Sequence, residues 1–230
     1  MTGSASSTLA VGLPTGEIEI DVEVDHAIDP WAVVALAHGA GAGMRHPFLI
    51  GFSGALAAAG VTTLRFTFPY LQAGRRMPGP AAHALATWQA VAERTHLLAA
   101  GAPWFAAGKS YGGRMASMAA AEGVIDPVGL VYAGYPLHPP GTPEKARTAH
   151  LPSIATPQLF LAGTRDPFLQ PLDQFTDAVA DCQDAEILWT EGGGHSFEVA
   201  GRTRPPEETG AALAASTLPW LRRRAQRPDA

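Results

Sequence analysis

The sequence predicts an α/β domain built on a doubly wound, mostly parallel sheet. Three observations carry that prediction. Short, continuously apolar runs such as Val33-Val34-Ala35-Leu36-Ala37 alternate with longer helical stretches, the pattern of strands covered on both faces. The 230 residues suffice for one such domain with a substantial core and are too few for two comfortable ones. The polar candidates described below all fall just after apolar runs, and parallel sheets collect reactive groups at the carboxyl ends of their strands.

Taken in order, residues 1–16 are rich in Ser, Thr and Gly and lack a basic leader, so they read as a disordered lead-in rather than a signal peptide. Glu17 to Val24 alternates polar and apolar with period two, a half-exposed strand expected at a sheet edge. Val33–Ala37 is the first covered strand. A glycine-rich loop follows it, then a helix opened by Pro47 and closed by Gly60. Thr62 to Phe68 is the next strand, and a long helix runs from about Ala81 to Ala100 with Trp88, Val91, Leu97 and Leu98 among its apolar positions. Strands are expected at Trp104–Gly108, Val128–Gly134, Gln158–Ala162 and Ala185–Thr190, with a helix after Pro171. A final helix starts near Pro206, and Pro219 should kink or shorten it. The division is therefore a lead-in over 1–16, a single domain over 17–224 and a flexible tail over 225–230.

Composition narrows the function classes. Hydrophobic content of 47% and charged content of 16% describe a folded globular protein, and the net charge of −5 argues against nucleic acid, whose binding needs a basic face. No apolar run approaches the length that spans a bilayer, so no membrane association is expected. The one cysteine, Cys182, excludes an internal disulfide and suits a reducing, cytoplasmic compartment.

The organising stretch is Gly108-Lys109-Ser110-Tyr111-Gly112-Gly113, preceded by an apolar run and followed by a small-residue helical segment. Strand, Gly-x-Ser-x-Gly, helix is the nucleophile-elbow arrangement, in which a tight turn lifts a serine hydroxyl above the end of a sheet. Gly108 and Gly112 would remove side chains where strand and helix cross. In so glycine-rich a chain the bare pattern is weak evidence; the context of strand, helix and downstream partners gives it weight. Asp166 lies in Gly163-Thr164-Arg165-Asp166-Pro167 and His195 in Gly192-Gly193-Gly194-His195-Ser196-Phe197, each just after a strand. Serine, aspartate, histidine is the α/β-hydrolase chain order. A serine hydroxyl needs an imidazole to take its proton, and a carboxylate to fix the imidazole's tautomer. Singly, Asp166 could serve as a turn former and His195 as a solvated loop residue; their shared order and strand-end positions favour the catalytic roles. An oxyanion hole is expected from the backbone N–H of Tyr111 and, in the loop after the first covered strand, that of Ala40, with Gly41 close behind. Read instead as a phosphate cradle, Gly39-Ala40-Gly41-Ala42-Gly43 lacks the Gly-x-Gly-x-x-Gly spacing and a P-loop ending. The chemistry needs no metal or organic cofactor.

Several segments together carry a family resemblance: Leu36 to Met44, Arg65-Phe66-Thr67-Phe68-Pro69-Tyr70, Gly74-Arg75-Arg76, Gly108 to Arg114, Tyr135 to Gly141, and Gly163 to Asp166. They resemble the dienelactone-hydrolase-like α/β-hydrolases. More narrowly, they are similar to the branch that shares a domain with a testis-expressed protein and a subunit of the NSL chromatin complex. The resemblance implies an α/β-hydrolase fold and a Ser110–Asp166–His195 triad. Dienelactone hydrolases use a cysteine nucleophile where this chain has Ser110, so their substrate does not transfer. Because some relatives serve as complex subunits, a non-catalytic binding scaffold is the rival reading, with acyl transfer a third.

Only 23 residues, 135 to 157, separate two strands where larger relatives insert a lid. A minimal core with an open cleft is expected, suited to a small-molecule acyl substrate such as an accessible ester, thioester or lactone. His138 lies on this segment and could touch substrate, although loop packing among prolines is the stronger reading. Arg75 and Arg76 could clamp a substrate carboxylate or pair with surface acids. Arg65, inside a strand, reads as the anchor of a structural hydrogen-bond network. Arg222-Arg223-Arg224 reads as a solvated helix end rather than a nucleic-acid patch. Nothing in the sequence speaks to oligomeric state.

Overall fold

The structure, a computed structural model, describes residues 3–202 and 204–226. Strands β1 (Gly3–Leu13) and β2 (Gly16–His26) form a hairpin; β3 (Ala32–Ala37), helix α1 (Pro47–Ala58) and β4 (Val61–Phe66) follow. A one-turn helix, α2 (Pro69–Gln72), precedes α3 (Ala81–Ala99), β5 (Trp104–Lys109) and α4 (Tyr111–Ala121). The chain continues with β6 (Leu130–Ala133), β7 (Gln158–Gly163), α5 (Leu172–Ala180), β8 (Ala185–Thr190) and α6 (Pro206–Ala225).

The eight strands form one sheet in the order β1-β2-β4-β3-β5-β6-β7-β8. β1 and β2 run antiparallel at one side, and from β4 onward every pairing is parallel. This is the α/β-hydrolase fold, a doubly wound sheet without a lid domain. The period-two geometry of a strand divides β3 between two cores. Val33, Ala35 and Ala37 face α3 and α4. Ala32, Val34 and Leu36 face α1 and α6. The latter two helices cross closely: a Cβ on Gly51 would lie 1.8 Å from the Glu207 carbonyl oxygen, and one on Gly210 would lie 2.0 Å from that of Phe48.

The structure corrects three expectations. Residues 3–13 are not a disordered lead-in but strand β1, paired with β2 along its whole length from Gly3–His26 to Leu13–Gly16. Leu9, Val11 and Leu13 supply a period-two apolar stripe, with Val11 fully buried. Pro14-Thr15 turns the chain, and the backbone ladder carries the polar residues before them. Consequently β2 is the second strand, and the edge belongs to β1. Helix α6 is not cut short at Pro219 but continues to Ala225. The next two residues, Trp220 and Leu221, are 2% and 1% exposed in the α1-side core; burying such side chains is worth about 1.5–3 kcal/mol each, enough to offset the missing hydrogen bond. Of the expected tail, residues 227–230 lie outside the described residues. The arginines near the end of α6 are engaged: Arg223 pairs with Glu186, Arg224 with Asp184 and Glu186, and Arg222 lies over the Trp31 ring. Among the described residues, no helix is long and apolar enough to cross a membrane.

Arg65 is the structural anchor its position in a strand suggests. It is 2% exposed, and its guanidinium donates to Asp25 and Glu23 of β2 at 3.0 Å each and to the Met44 carbonyl at 2.9 Å. Ser53 and Thr63 hydrogen-bond within the same cluster. Removing the cation would strand two shielded carboxylates. Arg65→Met is therefore expected to lower unfolding free energy by about 3 kcal/mol, read as a lower urea midpoint at unchanged m.

Candidate active site

In this sheet the strand order reverses at β3. β4 lies on one side of it and β5 on the other, so a crevice opens at their carboxyl ends. The register sets Ala37 beside Gly108. That brings the loop after β3 against the turn after β5: a Cβ on Gly39 would sit 3.7 Å from Ser110 Cβ.

Ser110 occupies the single residue between β5 and α4, at φ 49° and ψ −114°. A non-glycine residue held there stores about 1–3 kcal/mol of strain, so its neighbours must enforce it. They do so by close approach. A Cβ on Gly108 would fall 2.3 Å from Gly113 N, and one on Gly112 would fall 2.6 Å from the His38 carbonyl oxygen. These are backbone atoms that cannot swing aside, so the glycines let the helix sit on the strand and force the sharp turn between them.

Asp166 and His195 reach the same rim from different strands. Asp166 follows β7 and is fully buried; its Oδ1 accepts the Phe168 N–H at 2.9 Å. The His195 loop is stitched onto that turn. Arg165 N–H donates to the Gly193 carbonyl at 2.9 Å, and Gly192 N–H donates to Thr164 Oγ1 at 2.8 Å. Gly163 permits the approach, since a Cβ there would lie 2.2 Å from the Gly193 carbonyl oxygen. His195 Nδ1 lies 2.8 Å from Asp166 Oδ2, and its Nε2 lies 2.9 Å from Ser110 Oγ. An ionised carboxylate only accepts, so Nδ1 carries the hydrogen and Nε2 is left to accept from the serine hydroxyl. The Phe168 ring lies against the imidazole at 4.2 Å between centroids. This arrangement can draw a proton from a hydroxyl and return it to a leaving group.

Tyr111 is the first residue of α4, where the backbone N–H lies outside the intrahelical ladder. In the loop after β3, Ala42 N–H donates to the Gly39 carbonyl and Gly41 N–H to Tyr70 Oη at 3.2 Å. Ala40 N–H has no protein acceptor among the described residues. Of the two loop donors considered from sequence, Ala40 is thus the one left open.

A cleft of about 1360 Å³ opens over Ser110, with Ala40, Tyr111 and His195 in its lining. Its walls come from the loop at Met77–Gly79 and from the segment Ser196–Val199, while the short β6–β7 connection contributes only Pro136 and Arg147. Gly41, Arg75, Arg76 and His138 lie outside the lining. The reasons are local. Gly41 gives its N–H to Tyr70, and Arg75 and Arg76 are exposed on the loop behind it. His138 is fully buried, with Nδ1 donating to the Pro139 carbonyl at 2.8 Å.

Two supporting residues were not assigned roles from sequence. His38, fully buried, donates from Nδ1 to the Gly39 carbonyl at 2.8 Å and accepts the Phe68 N–H at Nε2 at 3.0 Å. Burial pulls its pKa down to about 4, so it is a neutral brace that fixes the loop bearing Ala40. The signal was a histidine directly between an apolar strand and a glycine loop. Lys109, beside the serine, donates from Nζ to the His195 carbonyl at 2.8 Å and ties the histidine loop to the elbow. Burial lowers its pKa to about 8, against the pull of Asp166 and Glu198, whose carboxylates favour the charged form. Between that pH and the ordinary 10.5, the unfolded chain binds a proton that the folded chain does not, so stability rises with pH across this window. In thermal melts from pH 8 to 10.5, wild type is expected to gain stability relative to Lys109→Met. A pH-independent difference would contradict the assignment.

Residues 30–218 match the family described as alpha/beta hydrolase domain. Among solved structures, the chain is similar to an alpha-beta serine hydrolase homologue from Coxiella burnetii, at 17% identity and a TM-score of 0.72 over 96% of this chain and 98% of that one. It is also similar to an α/β serine hydrolase without lid from Xanthomonas campestris, at 19% identity, TM-score 0.70 and 94% coverage of both chains. A dienelactone hydrolase from Anabaena variabilis aligns at 18% identity and TM-score 0.72 over 96% of this chain and 98% of that one. At these identities the likeness speaks to the fold.

Proposed function

The chain belongs to the alpha/beta hydrolase domain family, and on that premise we propose that it is a serine hydrolase acting on a small accessible ester, thioester or lactone. The observation that carries the reading is the unbroken hydrogen-bonded chain from Ser110 Oγ through His195 to a buried Asp166. In the first half-reaction, Ser110 Oγ attacks the acyl carbon while its proton passes to His195 Nε2. The carbonyl oxygen, now an oxyanion, accepts from the N–H groups of Tyr111 and Ala40. Collapse expels the alcohol or thiol, which takes the proton from His195 and leaves an acyl-serine. Water then attacks that ester with His195 again as base, releasing the acid and restoring the hydroxyl. Asp166 stays ionised throughout and stabilises the imidazolium.

The strained serine and the complete triad support turnover over the binding-scaffold reading, since a scaffold has no use for either. The motifs Leu36–Met44 and Gly108–Arg114 favour placing the chain in the branch shared with the testis-expressed and NSL-subunit proteins. The test is labelling by a fluorophosphonate probe. Native protein should be modified at Ser110, and folded protein that resists the probe would overturn the proposal.

A further inference from the structure

One wall of the cleft carries positive charge that the protein itself does not neutralise. Arg114 lies one turn into α4 from Ser110, its N–H donating to the Ser110 carbonyl at 3.0 Å. Its side chain lines the cleft into which Ser110 opens. Arg147 comes from the β6–β7 connection, held by its N–H to the Leu137 carbonyl at 2.7 Å and by Tyr135 Oη donating to its own carbonyl at 2.9 Å. Both arginines are half-buried, and both line the cleft with Ser110. Arg114 Nε is buried without a hydrogen-bond partner, and among the described residues neither guanidinium is paired with a carboxylate. Among the described residues, the other titratable groups that act on Arg114 are neutral or cationic. Tyr111 and Tyr135 present phenols, and His150 is hydrogen-bonded to Ser117 Oγ at 2.8 Å. His150 is driven down to about 4 by burial and then by Arg114 itself, so it adds no charge at neutral pH. Burial lowers the pKa of Arg114, the nearby Tyr135 partly offsets that, and the charge on Arg147 lowers it further. Elsewhere in the cleft, Arg202 and Arg204 share the lining with Glu191 and Glu198, so charge there is mixed.

Two half-buried like charges cost free energy while the site is empty, and an anion placed between them relieves that cost. A guanidinium fork matches the geometry of an oxyanionic group. We infer that Arg114 and Arg147 form an anion subsite, and that the substrate is an ester bearing a second group, a carboxylate or a phosphate, that remains ionised at neutral pH. The inference rests on the serine-hydrolase reading and sharpens it. Neutral esters enter the same cleft but forgo this contact.

The experiment compares p-nitrophenyl hemiglutarate with p-nitrophenyl valerate, matched in chain length and differing in the terminal carboxylate. A charge-assisted contact should favour the hemiglutarate in kcat/KM by about 10-fold or more. In Arg114→Met and in Arg147→Gln the ratio should fall toward unity, and Arg114→Lys should restore part of it. Glutarate and inorganic phosphate, tested separately as competitive inhibitors of valerate hydrolysis, distinguish the two anions. A wild-type ratio near unity, or a ratio unmoved in whichever of the variants fold, overturns the subsite while valerate turnover leaves the hydrolase intact. Turnover of neither ester, with no fluorophosphonate labelling, overturns both.

Discussion

Ser110→Ala is expected to lower kcat on p-nitrophenyl acetate by a factor on the order of 10⁶, the scale of loss when the nucleophile of such a triad is removed. The hydroxyl hydrogen-bonds His195 Nε2 at 2.9 Å, and alanine keeps the Cβ and the backbone geometry of the turn. Folding should therefore survive, with a melting temperature close to wild type. The residual rate reports what Tyr111 and Ala40 supply without a nucleophile. An unchanged kcat in a folded Ser110→Ala protein would mean that the reaction does not pass through this hydroxyl.

Asp166→Asn should cost about 10⁴ in kcat with little change in KM. The carboxylate accepts at both oxygens, from Phe168 N–H through Oδ1 and from His195 Nδ1–H through Oδ2. An asparagine has only one acceptor oxygen. With that oxygen retained by Phe168, the amide faces Nδ1 as a donor and favours the tautomer whose hydrogen sits on Nε2. That hydrogen then points at Ser110, which can no longer give up its proton. Steady-state kinetics on the same ester checks the prediction, and a loss in KM alone would show that Asp166 shapes the cleft rather than the imidazole.

The parts of the molecule legible in the sequence are those set by local geometry. Gly-x-Ser-x-Gly declares itself because the close approach at Gly108 involves backbone atoms of the same turn, and that at Gly112 the backbone of the neighbouring strand end at His38, neither of which can swing aside. Asp166 and His195 were legible because parallel connectivity forces strand ends to one rim, whatever the loops do. The Arg65 anchor followed from a charge inside an apolar strand. What stayed hidden depends on distant pairing. The first residues, Gly3–Thr8, carry almost no hydrophobic signal, and their order comes from the β2 backbone. The stripe Leu9-x-Val11-x-Leu13 before Pro14-Thr15 was the trace to follow. Arg75 and Arg76 follow a strand and so read as either substrate clamps or partners of surface acids; α2 carries them onto an exposed loop. Arg114 and Arg147 are 33 positions apart in sequence, and only the fold of the β6–β7 connection brings both into one cleft. No periodicity announces such a pair.

The most direct test of the central claim is intact-protein mass spectrometry after rapid mixing with p-nitrophenyl acetate. A transient single acetyl adduct is expected, which peptide mapping places on Ser110 and which is absent in Ser110→Ala. Ester turnover with the acetyl group on another side chain, or with Ser110 never acylated, would contradict that claim.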